Sequence, residues 1–209
     1  MDKYQETFLT WDQVALAYQE KFMDLSLYNH TYDAFIRFLP QKASVLDVGC
    51  GPGNITRYLL EKNPNHQLLG IDVSPKMVAL AAKNNPTADF EVMDCRDISL
   101  LSQKFEGIIA GFCIPYLSKT DCQHFFKACA DLLQPKGVFY LSFVPGNPKN
   151  SGFISNKQGS RVYFNYHTLA FIKEEMENRG LEIKKSDYIN YDKGNQTSET
   201  HVVLMAQKI

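Results

Sequence analysis

Short apolar runs alternate along most of this chain with stretches whose apolar residues recur every three or four positions. From 11 to 39 the spacing is helical: Val14, Leu16, Tyr18 and Phe22, then Tyr32, Phe35, Ile36 and Leu39. Leu25-Ser26-Leu27 and Asn29 divide that stretch into two helices, and Pro40 ends the second. Strands are predicted at 44–48, 67–72, 88–93, 107–112 and 137–144, with helices at 54–62, 75–84 and 119–133 between them. Such alternation means crossover units and a parallel sheet covered on both faces. The tail breaks the rhythm. A helix over 168–179 stops at Gly180, and strands at 181–191 and 197–207 are joined by Asp192-Lys193-Gly194-Asn195, a hairpin turn that reverses the last strand. The chain thus reads as a Rossmann-like, doubly wound α/β fold with a seven-stranded, mostly parallel sheet and an antiparallel last strand.

That pattern divides one domain of 209 residues into a helical lid at 1–40, a core at 44–144, an insertion at 145–167 and a closing helix and hairpin at 168–209. Composition adds little to this picture. Apolar residues make up 44% and charged residues 22%, and the net charge of −1 recruits neither nucleic acid nor an anionic membrane. The opening MDKYQETFLTWDQ lacks the apolar core of a secretory signal, and no run reaches the length of a membrane span. A cytoplasmic location is expected. Five cysteines without a CxxC pair read as reduced thiols.

Candidate chemistry gathers where the first strand ends. Val45-Leu46-Asp47-Val48-Gly49-Cys50-Gly51-Pro52-Gly53-Asn54 runs from a buried strand through a glycine-rich turn into a helix. Such a turn lets backbone lie against a ligand, and the helix start presents free N–H groups. A tight turn that binds nothing has the same form. The dinucleotide fingerprint needs glycine where Asn54 stands, so the loop departs from that of nicotinamide enzymes. Asp72 closes the next strand, where a carboxylate can accept from both hydroxyls of a ribose. Its bland alternative is an acid at a helix start, although Ser74-Pro75 already supplies that signal.

At these residues the sequence resembles the class I S-adenosylmethionine (SAM)-dependent methyltransferases, from about Ser44 to the C-terminus. Leu46 to Gly53 looks like that family's first motif, and Asp72-Val73-Ser74-Pro75-Lys76-Met77 like the extension after its second strand. Val92-Met93-Asp94-Cys95 and Leu132-Leu133-Gln134-Pro135-Lys136-Gly137-Val138 are similar to the segments after strand three and before strand five. The resemblance implies that Gly49, Cys50, Gly51 and Gly53 lie along the methionine half of SAM, with Asp47 meeting its ammonium or ordering the loop. It implies that Asp72 holds the ribose, while Val73 and Met77 pack on adenine, unless Met77 is simply core. Asp94 would accept from the adenine amino group, or else cap the next helix, and the Cys95 N–H would face a ring nitrogen. Phe112 falls in the segment after strand four, which touches SAM and acceptor, and Tyr18 is the lid tyrosine at the methionine end. Tyr28, Pro115, Tyr116, Tyr163 and Tyr166 are the acceptor-side candidates.

A sulfonium methyl is already activated, so the protein has mainly to align donor and acceptor and exclude water. His167, before a helix, is the candidate general base, with an exposed helix-start histidine as its plain alternative. His66, His124 and His201 fall on turn, helix and outer strand with nothing to single them out. No acid cluster or zinc spacing points to a metal. The expected partner is a small-molecule methyl acceptor, SAM becomes S-adenosylhomocysteine (SAH), and the assembly is either a monomer or a homodimer. A SAM or SAH sensor without catalysis, an RNA or protein methyltransferase, and a nicotinamide oxidoreductase are the competing readings. The insertion either helps to enclose the acceptor or forms an edge hairpin or dimer contact.

Overall fold

The structure is a computed structural model that describes residues 2–155, 159–194 and 196–209. In chain order its elements are α1 (Lys3–Gln13), α2 (Ala15–Phe22), α3 (Asn29–Phe38), β1 (Ser44–Val48), α4 (Asn54–Lys62), β2 (Gln67–Asp72) and α5 (Pro75–Asn84). They continue with β3 (Asp89–Val92), β4 (Phe105–Gly111), α6 (Lys119–Leu132), β5 (Leu133–Phe143), β6 (Gly152–Ser155), β7 (Arg161–Phe164), α7 (Leu169–Glu177), β8 (Leu181–Gly194) and β9 (Thr197–Lys208). One sheet runs β3-β2-β1-β4-β5-β9-β8, with β9 antiparallel to both neighbours. This is the expected Rossmann-like arrangement.

Period-two burial explains how the sheet is covered. Along β5, Phe139, Leu141 and Phe143 pack with Phe125 and Phe126 of α6 and Ile172 and Met176 of α7. Val138 and Tyr140, which point to the opposite face, pack with Tyr32 and Phe35 of α3 and Leu59 of α4. A strand apolar on both faces needs helices on both. The sheet therefore holds the ends of β1, β2 and β4 along one edge, with their loops facing a common space.

Some expected element bounds shift. The N-terminal helical pattern begins at Lys3 rather than near 11, because Asp2 caps α1 by accepting from the Tyr4 and Gln5 N–H groups. Beyond it, the break between two helices falls where expected, as a short 3₁₀ turn over Ser26–Tyr28. Strand β5 begins four residues early, since Leu133 already pairs with Phe105 ahead of a register shift. The insertion folds as a two-stranded hairpin of β6 and β7, antiparallel and outside the main sheet. Residues 156–158, within the insertion, and Asn195, within the expected last turn, lie outside the described residues. Around that turn, β8 extends to Gly194 and β9 starts at Thr197. All five cysteines are free. Among the described residues, no helix is long and apolar enough to cross a membrane, and no group of His, Cys, Asp and Glu could hold a metal ion.

Candidate active site

The carboxyl ends of β1, β2 and β4 open into a cavity of about 120 Å³. Gly49 and Gly51 form its floor, both at positive φ (68° and 54°), a conformation that side chains with a Cβ rarely adopt. Close approach matters too: a Cβ on Gly49 would come within 3.1 Å of Cys113. A Cβ on Gly51 would lie 3.5 Å from the Tyr18 ring.

Asp72 holds this loop in shape. Its Oδ2 accepts from the Gly51 N–H at 3.0 Å and its Oδ1 from the Ser74 N–H at 2.9 Å. Each oxygen keeps a further lone pair, enough for one hydroxyl apiece. Burial pushes its carboxyl above the usual range, against the N–H groups of Ser74, Gly51 and Val73. Val73 and Met77 line the cavity beside it.

Asp47 is wholly buried, two residues before Gly49. Its Oδ2 accepts from the Thr56 hydroxyl at 2.8 Å, whereas Oδ1 has no hydrogen-bond partner in the protein. Burial, with Asp72 nearby, pushes its pKa up to about 7. A buried carboxylate oxygen without a donor is costly unless a ligand supplies one, so it suits an ammonium group. The Trp11 Nε1 on the cavity wall is likewise buried without an acceptor.

A pH dependence follows. An ammonium needs Asp47 ionised, so affinity for SAH should rise as pH climbs through about 7, and the rise should vanish in Asp47→Asn. Stability of the ligand-free protein should move the other way. Between pH 3.8 and about 7 the folded chain keeps a proton that the unfolded chain has lost, so stability falls as pH rises. Calorimetry with SAH and denaturant melts from pH 4 to 8 measure the two slopes.

Asp94 also lines the cavity but is already engaged. It caps a short 3₁₀ helix through the Arg96 N–H at 2.9 Å, and its Oδ2 accepts from Arg96 Nε at 2.9 Å and Nη2 at 2.6 Å. The capping alternative is thus realised, with one lone pair of Oδ1 remaining for an adenine amino group. Cys95 and Cys113 line the same wall, and burial raises both thiols. Cys113 is therefore a small wall residue with no thiolate character.

Phe112 follows β4 with φ of +57°, a sparsely populated conformation for a residue with a bulky side chain. Its N–H donates to the Ser142 carbonyl at 3.0 Å, and its ring faces Tyr28 and His201. Strain of this kind persists only where the surroundings fix it, and here it places Phe112 on the cavity wall.

The lid closes the top. Thr7, Phe8 and Trp11 of α1 and Tyr18 of α2 all line the cavity, and Trp11 makes edge contacts with Tyr18 and Tyr116. Burial, with Asp72 and Asp47 behind it, pushes the Tyr18 phenol up to about 12. Thr7 and Phe8 were not foreseen. Their signal was present in Tyr4, Phe8 and Trp11, spaced for one helix face behind the Asp2 cap.

Several expected residues fall elsewhere. His167 is buried, with Nε2 at 3.0 Å from the Leu117 carbonyl and 3.4 Å from Cys122 Sγ, and does not line the cavity. Burial lowers its pKa despite the carbonyl contacts. A histidine held in this way supports the loop after β4 and is displaced from the role of general base. Cys50 turns its thiol toward the Gly51 carbonyl, and Gly53 starts α4 at φ of +82°, so both shape the loop from behind. Pro115 is buried, its carbonyl accepting from the Asn165 N–H. Tyr163 lies under Lys3 on the hairpin, and Tyr166 lines a separate pocket with Ser151 and Phe171. Tyr28 stands behind Phe112 rather than on the cavity wall.

With this geometry described, comparison with known proteins is informative. Residues 45–137 match the family model described as a methyltransferase domain. A trans-aconitate 2-methyltransferase of Variovorax paradoxus is 45% identical over 109 residues, 52% of this chain and 41% of that protein. A demethylmenaquinone methyltransferase of Thermotoga maritima is 27% identical over 128 residues, 61% of this chain and 54% of that protein. The match thus spans about half or less of each of these relatives. A magnesium protoporphyrin IX methyltransferase of Synechocystis, solved with bound SAM, superposes with a TM-score of 0.73 at 16% identity, covering 100% of this chain and 98% of that one. At that identity the likeness is one of fold. The family model thus covers residues 45–137 of the chain, and the likeness to solved methyltransferases is one of fold.

Proposed function

We propose that this protein binds SAM in the cavity at the ends of β1, β2 and β4 and transfers its methyl group to a small-molecule acceptor. The observation that carries this reading is the donor-acceptor pattern of the cavity. Asp72 lines the cavity with lone pairs to spare beside a positive-φ glycine floor, and Asp47 Oδ1 is buried without a donor two residues before that floor, behind the cavity lining. Asp72 would hold the ribose, Asp47 the ammonium, and Val73 and Met77 the adenine faces. SAM supplies an activated methyl group when bound. The chain's own part is to orient both partners and to keep water out.

A small acceptor is favoured because the cavity is roofed by α1 and α2, which would exclude a polymer. The relatives named for trans-aconitate and demethylmenaquinone act on small molecules by name, which supports the same class. A thermal-shift panel of SAM, SAH, NAD and NADP should stabilise the protein with the first two alone. Isotope transfer from labelled SAM into metabolite extracts should then label a small product. Stabilisation by NAD rather than SAM would overturn the reading, whereas tight SAM binding without any transfer would leave a sensor.

A further inference from the structure

The reversed strand β9 has a consequence for what stands at the ligand edge. Because β9 runs against β5, its early residues lie beside the carboxyl end of β5, where Phe143 pairs with Val202. His201, the next residue outward, therefore stands beside the segment that follows β4. Its Nδ1 is 2.6 Å from the Tyr28 hydroxyl and its Nε2 is 3.0 Å from Glu199 Oε1. Glu199 Oε2 in turn accepts from Lys193 Nζ at 2.8 Å.

The hydrogen positions follow from chemistry. Burial alone would raise the Glu199 carboxyl, but the bonds from His201 and Lys193 hold it below the usual range, so it is ionised and can only accept. Nε2 then carries the proton, and in the neutral ring Nδ1 offers its lone pair to the Tyr28 O–H. Tyr28 and His201 are both nearly buried, at 5% exposure each, and the Tyr191 ring stacks on His201 at 4.8 Å. The groups facing the imidazole are thus Tyr28, Tyr191, Phe112 and Glu199, with Lys193 one step behind. Phe112 packs edge-on against both Tyr28 and His201 at 5.4 and 4.9 Å, and it alone of these lines the cavity.

We propose that Tyr28, His201 and Glu199 form a proton relay for the acceptor, and that the acceptor is a neutral hydroxyl or amine compound that enters next to Phe112. This rests on the reading of the cavity as a SAM site. In the step, the acceptor heteroatom bonds to the methyl carbon as the methyl–sulfur bond breaks, its electron pair remaining on sulfur. The acceptor proton passes to the Tyr28 oxygen while the Tyr28 proton passes to His201 Nδ1, leaving an imidazolium paired with Glu199. Tyr28 would touch the acceptor once the Phe112 ring turns aside, and His201 and Glu199 are positioning residues. No Lys, Arg or His lines the cavity among the described residues, so an anionic acceptor that needs no base would find no protein counter-ion there.

The test compares SAM with SAH, which differ by one positive charge at the reacting sulfur. A histidine close to this centre senses that charge by Coulomb's law, so the comparison reads proximity, and the kcat of the variants reads the relay itself. In ¹⁵N NMR of labelled protein at a fixed pH, the His201 ring-nitrogen resonances should differ between saturating SAM and saturating SAH. Neutral His201 should show the Nε2–H tautomer. Tyr28→Phe and His201→Gln should keep SAH affinity within threefold, and should lower kcat at least tenfold on the product labelled in extracts. Equal His201 ring resonances with the two ligands, the opposite tautomer, or a product methylated on carboxylate or carbon would overturn the relay while leaving the SAM site in place. Failure of both ligands to bind would overturn the SAM site and the relay with it.

Discussion

Asp72→Ala should weaken SAM binding by at least tenfold without unfolding the protein. Two losses combine in this variant. The Gly51 and Ser74 N–H groups lose the carboxylate that fixes the glycine floor, and the ribose hydroxyls lose both acceptors. A hydrogen bond to a charged group contributes roughly 1.5–3 kcal/mol, and each ~1.4 kcal/mol is a factor of ten. The fold should survive, because Asp72 lies at the ligand edge and not between the two faces of the sheet. Asp72→Asn should lose less, since its single amide oxygen can still accept from Gly51 or from one hydroxyl. Calorimetry with SAM and SAH, paired with circular dichroism, reads both parts. Unchanged affinity in Asp72→Ala would remove the ribose assignment and with it the main support for this orientation of the ligand.

Why Asp72 could be singled out from sequence and other residues could not is a matter of how far apart the partners are along the chain. The glycine floor, Asp47 and Asp72 sit at strand ends, and strand ends are written locally in runs such as Val45 to Val48 and Leu68 to Ile71. Those bounds matched because a strand apolar on both faces gives an unbroken signal. His201 illustrates the opposite case. On its own strand it is one polar residue between exposed Thr200 and the buried run that starts at Val202, and its role comes from Tyr28, 173 residues away. Only the reversal of β9 brings the two together, and no local pattern encodes a contact at that separation. His167 failed for a related reason. Its helix-start position was legible, but its burial depends on Leu117 and Cys122, which arrive from another part of the fold. The missed part of the lid, Thr7 and Phe8, was different, since the Asp2 cap and the spacing of Tyr4 and Phe8 ahead of Trp11 were local and could have been read.

Removing α1 should abolish methyl transfer and weaken SAH binding by about tenfold to a hundredfold. This helix is the part of the lid that ties the cavity roof to the hairpin, to α6 and to α5. Its Thr7 hydroxyl accepts from the Tyr163 N–H at 3.0 Å, and its Thr10 hydroxyl donates to the Arg161 carbonyl at 2.8 Å, so α1 is docked on the hairpin. Glu6 pairs with Arg161 on the same side, and Tyr4 bonds to Asp121 at the start of α6. At its far end Asp12 accepts from the Ser74 hydroxyl and the Lys76 N–H at 2.8 and 3.0 Å, tying α1 to the start of α5. The exposed ion pairs add little by themselves. Trp11 and Phe8 contribute more, because burying an aromatic side chain is worth roughly 1.5–3 kcal/mol and both cover the ligand side of the cavity. Arg96 links this roof to the adenine end: its guanidinium stacks at 4.1 Å over Tyr4 while it clasps Asp94. Lid closure and the state of Asp94 should therefore be coupled. A chain lacking residues 2–13 should still melt cooperatively, since the two core clusters contain no residue of α1. Trp11→Ala should reproduce part of the loss, and SAH should protect α1 of the intact protein from proteolysis. If the shortened chain bound SAH as tightly as the full one, α1 would be a packed ornament of the sheet and not a roof.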